Sequence, residues 1–354
     1  MSNSDCPAIA CDGLWQVFGE NANTLVRQLL ATHGADVEAA AESLREHNCV
    51  PAVQDVNFEL QRGELFVIMG LSGSGKSTLI RSLSGLISAS AGSVEIDGEN
   101  ITQASKQRMI ELRREKLGMV FQHFGLFPHM SVLQNVCFPL KMKGEEKSSR
   151  EQRALEIIEL VGLKGKESAY PRQLSGGQQQ RVGLARSLSV NPDIWFLDEP
   201  FSALDPLIRR QLQDEFLRIQ RTLKKSIIFI THDIAEALKL ADRIALLRDG
   251  RIVQIGSPTD IVLRPANDYV RDFTADVARG QHATVATLMD TREPLMADAS
   301  VTGDPGLLDS MTIDAALARC ASMHEKVPVR DEHGRLVGTV NPGDLATALH
   351  SESS

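Results

Sequence analysis

The chain has 354 residues, the length of two or three domains, and this is ample for a large core. Hydrophobic residues make up 42% and charged residues 24%, so neither a collagen-like nor a disordered chain fits the composition. A net charge of −8 has the wrong sign for holding nucleic-acid phosphates, and we expect no nucleic acid among the partners. No apolar run reaches the roughly 18 to 20 residues of a membrane span, and 5 irregularly spaced cysteines favour a reducing compartment without structural zinc.

The pattern of apolar residues predicts an α/β sheet. A strand near residues 9–18 is followed by a helical insert over about residues 20–50. The run 65–69 is apolar on both faces, which is typical of a strand inside a parallel sheet. Further buried strands, separated by helical stretches, are predicted at 117–121, 194–197, 227–230 and 244–247. A helical subdomain over about residues 106–189 is expected to be inserted into this sheet.

A glycine-rich loop follows the strand at 65–69. Residues 70–77 read GLSGSGKS, which fits GxxxxGK[ST] between a buried strand and a helical run. The glycines allow backbone N–H groups to face an anion, to which the helix N-terminus adds its positive dipole end. Lys76 would reach the terminal phosphates of a nucleotide, and the Ser77 hydroxyl would ligate Mg²⁺. The predicted nucleotide-binding residues of the loop are Gly70, Ser72, Gly73, Ser74, Gly75, Lys76, Ser77 and Thr78.

Two acidic residues end the buried strand at 194–197. A carboxylate delivered there suits the water shell of a metal ion, which is the role predicted for Asp198. Glu199 is then available to orient or deprotonate an attacking water. Taken alone, the pair fits two solvated acids at a strand end better than a catalytic pair. The glycine-rich loop upstream reverses that preference and favours the catalytic interpretation.

A third motif, LSGGQ, occupies residues 174–178 at the start of a helical run. Alone, it fits an N-capped turn better than an anion-receiving helix terminus. Together and in this order, the three motifs resemble the ATP-binding-cassette (ABC) ATPases over roughly residues 9–273. This resemblance implies a P-loop NTPase fold, an ABC-type nucleotide-binding domain with an inserted helical subdomain, and hydrolysis of ATP with Mg²⁺.

The resemblance also implies roles for single residues. Gln122 matches the glutamine that senses the metal and the water, and His232 matches the switch histidine that contacts the terminal phosphate. Asp205 ends a stretch, residues 202–205, that matches the D-loop. Phe18 resembles the aromatic that stacks on adenine. The alternative is that Phe18 belongs to the core, and in that case Trp15 would be the adenine-stacking residue. The signature residues that would bind ATP held by the other subunit are Ser175, Gly176, Gly177 and Gln178.

One copy of each motif in the sequence implies that two chains sandwich two ATP molecules. A homodimer is a simpler expectation than a pair with a paralogue. A P-loop kinase would not explain LSGGQ or His232. ABC ATPases of DNA repair, chromosome organisation or translation, a soluble non-transport class, would need heptads, a second cassette or a basic face, none of which the sequence contains.

Residues 64–78, 124–129 and 201–209 resemble a narrower group, the ATPases of glycine betaine/proline betaine (quaternary ammonium) importers. The resemblance implies integral membrane permease subunits, a periplasmic or lipid-anchored substrate-binding protein as an indirect partner, and a peripheral position on the cytoplasmic side of the bacterial inner membrane. The apolar segment 124–129 would receive the permease, with a buried core edge as the alternative. Importers of choline, proline, histidine or methionine remain open.

A domain boundary is predicted near residue 280, which gives an ATPase domain of 1–280 and a tail of 281–354. The tail holds 11 acidic and 5 basic side chains, which is most of the net charge. Residues 326–340 resemble the hairpin of a cystathionine-β-synthase-type (CBS) unit, which implies a small α+β domain for regulation or dimerisation. Asn341 stands where that family has Ser or Thr, so adenine-nucleotide binding by the tail is doubtful. A merely stabilising appendage is the alternative.

Overall fold

The computed structural model describes residues 6–34, 36–121, 125–202, 204–275, 285, 289, 306–320 and 326–345. The chain divides into two compact units, Met1–Val253 and Gln254–Ser354. The sequence instead places a boundary near residue 280, and that boundary stays a prediction. Within the described parts, no helix has both the length and the apolar character needed to cross a bilayer.

The strands and helices are numbered in chain order. The strands are β1 (Ile9–Phe18), β2 (Val50–Leu60), β3 (Leu65–Met69), β4 (Ala91–Ile96), β5 (Glu99–Asn100), β6 (Leu117–Val120), β7 (Ile194–Asp198), β8 (Ser226–Thr231), β9 (Arg243–Arg248), β10 (Arg251–Gly256), β11 (Leu307–Leu308), β12 (Val327–Arg330) and β13 (Leu336–Val340). The α-helices are α1 (Ala22–His33), α2 (Val37–Glu46), α3 (Lys76–Leu83), α4 (Lys106–Glu115), α5 (Val132–Met142), α6 (Lys147–Leu160), α7 (Gly176–Ser189), α8 (Pro206–Leu223), α9 (Ile234–Leu240), α10 (Pro258–Leu263), α11 (Asp268–Phe273) and α12 (Ile313–Cys320).

A six-stranded sheet in the order β10-β9-β3-β8-β7-β6 forms the centre of the fold. Strand β3 pairs in parallel with β8 and β9, and β7 pairs in parallel with β6 and β8. Every residue of β3, β7 and β8 is buried, which explains why these strands read as continuous apolar runs. The predicted α/β class is confirmed. Because β3, β7 and β8 are parallel, their carboxyl ends lie at one edge, where ligands of open α/β sheets bind.

A second, antiparallel sheet has the order β2-β1-β4-β5. Helices α1 and α2, in the predicted insert, pack on it through a cluster that includes Trp15, Val26 and Leu44. Helix α2 begins at the N-cap Asp36, whose carboxylate accepts a hydrogen bond from the Ala39 amide. The insert therefore has a small core of its own, built on one end of β1.

The stretch predicted as a helical subdomain begins with α4 and ends with α7, and it also contains strand β6 of the central sheet. Helix α5 starts with a capping box, in which Ser131 and Gln134 satisfy each other's backbone N–H groups. The fully buried Asn135 of α5 binds the backbone of Phe127 through both of its amide atoms. These contacts fix the loop that precedes α5.

The second unit contains a three-stranded sheet in the order β11-β12-β13. Strand β12 is parallel to β11 and antiparallel to β13. Helix α12 lies between β11 and β12 in the chain, and its Ile313 and Ala316 are buried with Val329 and Val340. This α+β arrangement agrees with a single CBS-like unit, which stays a prediction.

Candidate nucleotide-binding site

The loop between β3 and α3 depends on glycine at both ends. Gly70 has φ 156° and Gly75 has φ 99°, and residues other than glycine rarely adopt such positive φ angles. A Cβ at Gly70 would collide with the carbonyl oxygen of Leu247, and one at Gly75 with that of Ala52. Gly75 is also the N-cap of α3, where no side chain among the described residues caps the helix. The N–H groups of the first turn are left for a ligand.

Lys76, the first residue of α3, folds back over this loop. Its Nζ donates to the carbonyl oxygens of Gly70 at 2.9 Å and Leu71 at 2.8 Å. Burial lowers the pKa of Lys76, while the negative charges of Glu199 and Asp198 oppose that shift. A largely buried ammonium group held by neutral carbonyls is well placed to exchange them for a polyanion.

Asp198 is the last residue of β7 and is 3% exposed. The hydroxyl of Ser77 donates to its Oδ1 at 3.3 Å. Burial raises the pKa of Asp198, and the hydrogen bond from Ser77 partly offsets this effect. A hydroxyl and a carboxylate oxygen at this separation are the ligand types that Mg²⁺ takes when phosphates and waters complete its shell. In the described residues, no group of three or more acidic, His or Cys side chains could hold a metal ion.

Glu199 follows β7 in a left-handed conformation, with φ 45°. Its amide donates to the Ile230 carbonyl of β8 at 3.0 Å, which holds the residue in this conformation. Such a conformation costs about 1–3 kcal/mol for a residue other than glycine, and it turns the side chain away from the strand direction. The carboxylate Oε2 lies 3.1 Å from Nδ1 of His232, which follows β8. Neighbouring strand ends thus bring an acid and an imidazole together.

These groups face a common cavity of about 580 Å³. Its lining residues are Ala52, Leu71, Ser72, Gly73, Gly75, Lys76, Ser77, Thr78, Glu199 and His232. The structure therefore brings the glycine-rich loop together with the acidic and histidine residues that the sequence places far apart. Gly70, Ser74 and Asp198 lie directly behind this wall, in contact with Lys76 and Ser77.

The signature residues lie elsewhere and are not among the residues that line this cavity. Ser175 is the N-cap of α7; its Oγ accepts from the Gln178 amide, and Oε1 of Gln178 accepts from the Ser175 amide. Gly177 is buried, and a Cβ there would lie 2.7 Å from Ile208 of α8. Asp205 caps α8 by accepting from the Ile208 amide at 3.1 Å. In this chain, the two motifs therefore shape the starts of two helices.

Phe18 and Trp15 have opposite environments. Phe18, at the end of β1, is 46% exposed, so its ring can accept a flat partner. Trp15 is 1% exposed and belongs to the core that β1 forms with the insert. Trp15 as a substitute for the adenine-stacking residue is wrong, because the insert covers its ring. The predicted sensor Gln122 lies outside the described residues, as do Phe124 and Ala203.

Gln54 is a residue of this region that the sequence did not reveal. It is 2% exposed in β2, two residues from Ala52 in the cavity wall. Its Nε2 donates to the Asp249 carbonyl at 2.7 Å, and its Oε1 accepts from Nε of Arg251 at 2.9 Å. Gly250, which lies between Asp249 and Arg251, accepts from the Gln54 amide and donates to the Ser74 carbonyl. A single amide in a strand carries no motif, so no signal in the sequence identified it.

Comparisons with known proteins agree with this geometry. The family model described as "ABC transporter" matches residues 53–202. The trimethylamine N-oxide transport system ATP-binding protein TmoW of Pelagibacter ubique is 46% identical over 98% of both chains, and its namesake in Ruegeria pomeroyi is 48% identical over 95% of both. The glycine betaine transport ATP-binding protein OpuAA of Bacillus subtilis is 43% identical over 96% of this chain and 77% of that one.

A solved structure resembles about 71% of the chain. It is described as the dimeric, post-hydrolysis state of the ATP-binding cassette MJ0796 bound to ADP and Pi. The TM-score is 0.58 at 30% sequence identity, over 71% of this chain and 98% of that one. In that solved structure, MJ0796 is a dimer and holds ADP and Pi.

Proposed function

Since the chain belongs to the ATP-binding subunits of ABC transporters, we propose that it hydrolyses ATP to drive uptake of a small methylated amine. The observation that carries the ATPase activity is the common cavity, in which the Lys76 ammonium, the Ser77–Asp198 pair and the Glu199–His232 pair converge. The solute is trimethylamine N-oxide or glycine betaine, and related quaternary amines are of the same class.

Each group in the cavity has a part in phosphoryl transfer. The loop amides and Lys76 bind the β- and γ-phosphates and offset the charge that develops there. Glu199 orients a water molecule for attack on the γ-phosphorus and accepts its proton, and ADP leaves with the electrons of the broken P–O bond. His232 contacts the γ-phosphate and, 3.1 Å from Glu199, steadies that carboxylate.

Mg²⁺ is part of this proposal. The Ser77 hydroxyl and the Asp198 carboxylate would hold it, directly or through water, with Gln122 as the third predicted contributor. Bound there, the ion would supply positive charge to the phosphate oxygens. The raised pKa of Asp198 supports this assignment, because a cation beside a buried carboxylate would relieve the cost of its burial.

A second chain completes the site. Ser175, Gly176, Gly177 and Gln178 are not among the residues that line the chain's own cavity, and a partner chain in a homodimer would supply them across the interface. Leu71 beside the glycine-rich loop and Leu207 in α8 are exposed, which suits surfaces that become buried on dimerisation. Phe18 is exposed at the end of β1 and is not among the residues that line the cavity; it would stack on the adenine ring beyond the phosphates.

Docking to a permease is supported by a second cavity, of about 200 Å³, one of whose lining residues, Arg186, donates to the Gly125 carbonyl at 2.6 Å. It is lined by four cationic residues and by apolar ones, namely Arg113, Arg114, Lys143, Arg186, Leu117, Gly118, Met119, Pro139, Met142, Ser187 and Val190. An apolar permease helix that carries an acidic residue fits this chemistry. The chain would then lie on the cytoplasmic side of the membrane, and a separate binding protein would deliver the solute. The tail would act as a regulatory or dimerisation domain.

The choice of solute rests on the relatives alone, because the solute would be recognised by the permease and the binding protein. The two trimethylamine N-oxide relatives match this chain over nearly their whole length. The glycine betaine relative OpuAA is matched over a smaller share of its own length, 77%. Trimethylamine N-oxide is therefore the first solute to test, and glycine betaine the second.

The test is reconstitution of the chain with its co-purifying permease and binding protein in proteoliposomes loaded with MgATP. Accumulation of radiolabelled trimethylamine N-oxide or glycine betaine that stops in the Lys76→Ala variant is the expected result. Uptake of both solutes should be compared with uptake of histidine and methionine. ATP-dependent transport of an amino acid without transport of either methylated amine would overturn the solute class, and absence of MgATP hydrolysis would overturn the whole proposal.

A further inference from the structure

Arg209 joins two loops that the sequence separates by about 30 residues. Its Nη2 donates to the carbonyl oxygen of Leu204 at 3.1 Å, and its Nη1 lies 3.2 Å from Oδ2 of Asp233. Leu204 precedes Asp205 at the end of the D-loop stretch, and Asp233 follows His232 directly. Arg209 thus lies in the first turn of α8 and contacts both loops.

Both ends of this bridge are themselves fixed. The other carboxylate oxygen of Asp233, Oδ1, accepts from the amides of Ala235 and Glu236 and so caps α9. The Asp233 amide donates to the hydroxyl of Thr231 at 3.0 Å, which closes the turn around His232. A displacement of the Asp233 carboxylate would therefore move the loop that carries His232.

The path continues from this loop to the catalytic acid. His232 lies between Asp233, which Arg209 holds, and the Glu199 carboxylate 3.1 Å from its ring. Arg209 is not among the residues that line the cavity, so it has no contact with the nucleotide phosphates there. Its effect on the chemistry has to pass through the backbone of the loop at 231–233.

We propose that Arg209 is a positioning residue that locks the loop carrying His232 to the end of the D-loop. The proposal rests on the proposed ATPase activity and deepens it, since it assigns a residue that sets the geometry of hydrolysis and not of ATP binding. A planar guanidinium reaches two acceptors in different directions with separate N–H groups, whereas a lysine offers one point of charge. Among the described residues its Nε is buried without a hydrogen-bond partner, so its hydrogen bonds to the two loops are those of the Nη atoms.

The chain offers a matched control next to Arg209. Arg210 is an exposed arginine on the same helix, and within the described part of the chain no hydrogen bond or ion pair ties it to either loop. Conversion to lysine at either position keeps the charge, the helix propensity and most of the side-chain length. Only at position 209 does it remove the bridge.

The test measures MgATP hydrolysis and equilibrium ATP binding by the full-length chain for wild type, Arg209→Lys, Arg209→Ala, Arg210→Lys and Arg210→Ala. We expect Arg209→Lys to lower kcat about 10-fold or more while ATP affinity stays within about twofold, because small errors in positioning affect rate far more than binding. Both Arg210 variants should match wild type in kcat and affinity within about twofold. Thermal unfolding of each variant identifies losses that come from a weakened fold.

Two results would overturn the inference while leaving the ATPase proposal intact. One is equal kcat for Arg209→Lys and Arg210→Lys; the other is a loss of affinity and of Tm in Arg209→Lys that matches its loss of kcat. A wild-type chain without MgATP hydrolysis would instead contradict the proposed function, and the inference with it. Asp233→Asn supplies an independent arm: it keeps the α9 cap but weakens the ion pair, and it should lower kcat in wild type much more than in Arg209→Ala.

Discussion

Two helices of this chain start with glycine-rich motifs, and their N-termini are prepared in different ways. Helix α3 has Gly75 as its N-cap, where no side chain among the described residues caps the first turn, and Gly75, Lys76, Ser77 and Thr78 line the common cavity. Helix α7 begins at Ser175, where Ser175 and Gln178 form a closed capping box. We call these regions the cavity side (residues 70–78 together with Asp198, Glu199 and His232) and the signature side (residues 174–179).

The difference predicts an order of events. On the cavity side a phosphate meets unsatisfied N–H groups and a positive charge, so one chain suffices to bind a nucleotide. On the signature side the capping box already satisfies two of the orphan N–H groups. Such a cap is worth about 0.5–2 kcal/mol, and a partner's γ-phosphate has to compete with it or share it. Binding is therefore expected to precede dimer closure.

The largest expected effect concerns the chemistry on the cavity side. Glu199→Gln should lower kcat by about 100- to 1000-fold, because the amide cannot accept the proton of the attacking water. ATP binding should remain, since the loop and Lys76 are unchanged. Single-turnover hydrolysis and equilibrium binding measure the two separately. Near-wild-type turnover in this variant would remove Glu199 from the mechanism.

A pair of glycine substitutions compares the two helix starts directly. Gly75→Ala should weaken ADP and ATP binding by the chain about 10-fold or more, because the new Cβ collides with the Ala52 carbonyl and φ is 99°. At Gly176 a Cβ would lie 3.7 Å from Leu204, an ordinary contact. Gly176→Ala should therefore leave nucleotide binding by a single chain unchanged and lower only hydrolysis that depends on dimerisation. Similar losses of ADP affinity in both variants would erase the distinction between the two sides.

The cavity side was largely predictable because its chemistry is carried by contiguous motifs. Residues 70–77 and the acidic pair Asp198–Glu199 follow buried strands, and parallel strands bring their carboxyl ends to one edge. The choice between Phe18 and Trp15 depended on how the insert packs, which is a tertiary property that no local pattern encodes. Gln54 and Arg209 were missed for a similar reason: each acts through one side chain whose partners lie far away in the chain.

Two hydrogen-bonded amide side chains, the buried Gln54 and the half-buried Gln179, provide a smaller comparison. Gln54 ties Asp249 and Arg251 behind the cavity side, and Gln179 donates to the carbonyls of Pro171 and Leu174 ahead of the signature helix. Gln54→Met should raise KM for ATP several-fold with kcat nearly unchanged, as expected for the loss of two or three hydrogen bonds worth about 0.5–1.5 kcal/mol each.

Gln179→Met is the matched control on the signature side. It should leave ADP binding by a single chain unchanged, because Gln179 is not among the residues that line the cavity. It should lower kcat, because the segment ahead of the signature helix loses two hydrogen bonds. Steady-state kinetics combined with ADP titrations distinguish the two outcomes. An unchanged KM in Gln54→Met would show that the turn at 249–251 needs no support from β2.

The smallest expected effect is on stability and concerns Asp198. Its pKa is raised by burial, so the folded protein favours the protonated form, and the carboxylate weakens the nucleotide-free fold at pH values above its pKa. Asp198→Asn should therefore raise Tm at pH 7.5, by about 2–4 °C for each kcal/mol of stabilisation. The gain should shrink as the pH falls through the raised pKa toward the ordinary carboxyl value, where wild-type Asp198 is also neutral.

Asp205→Asn is the control, because Asn caps helices as well as Asp and this exposed cap should leave Tm nearly unchanged. Differential scanning fluorimetry of both variants at pH 4.5 and 7.5 makes the measurement. A gain in Tm for Asp198→Asn that is independent of pH would contradict this explanation. It would mean that the packing of the Asp198 side chain, and not its negative charge, lowers the stability of the nucleotide-free protein.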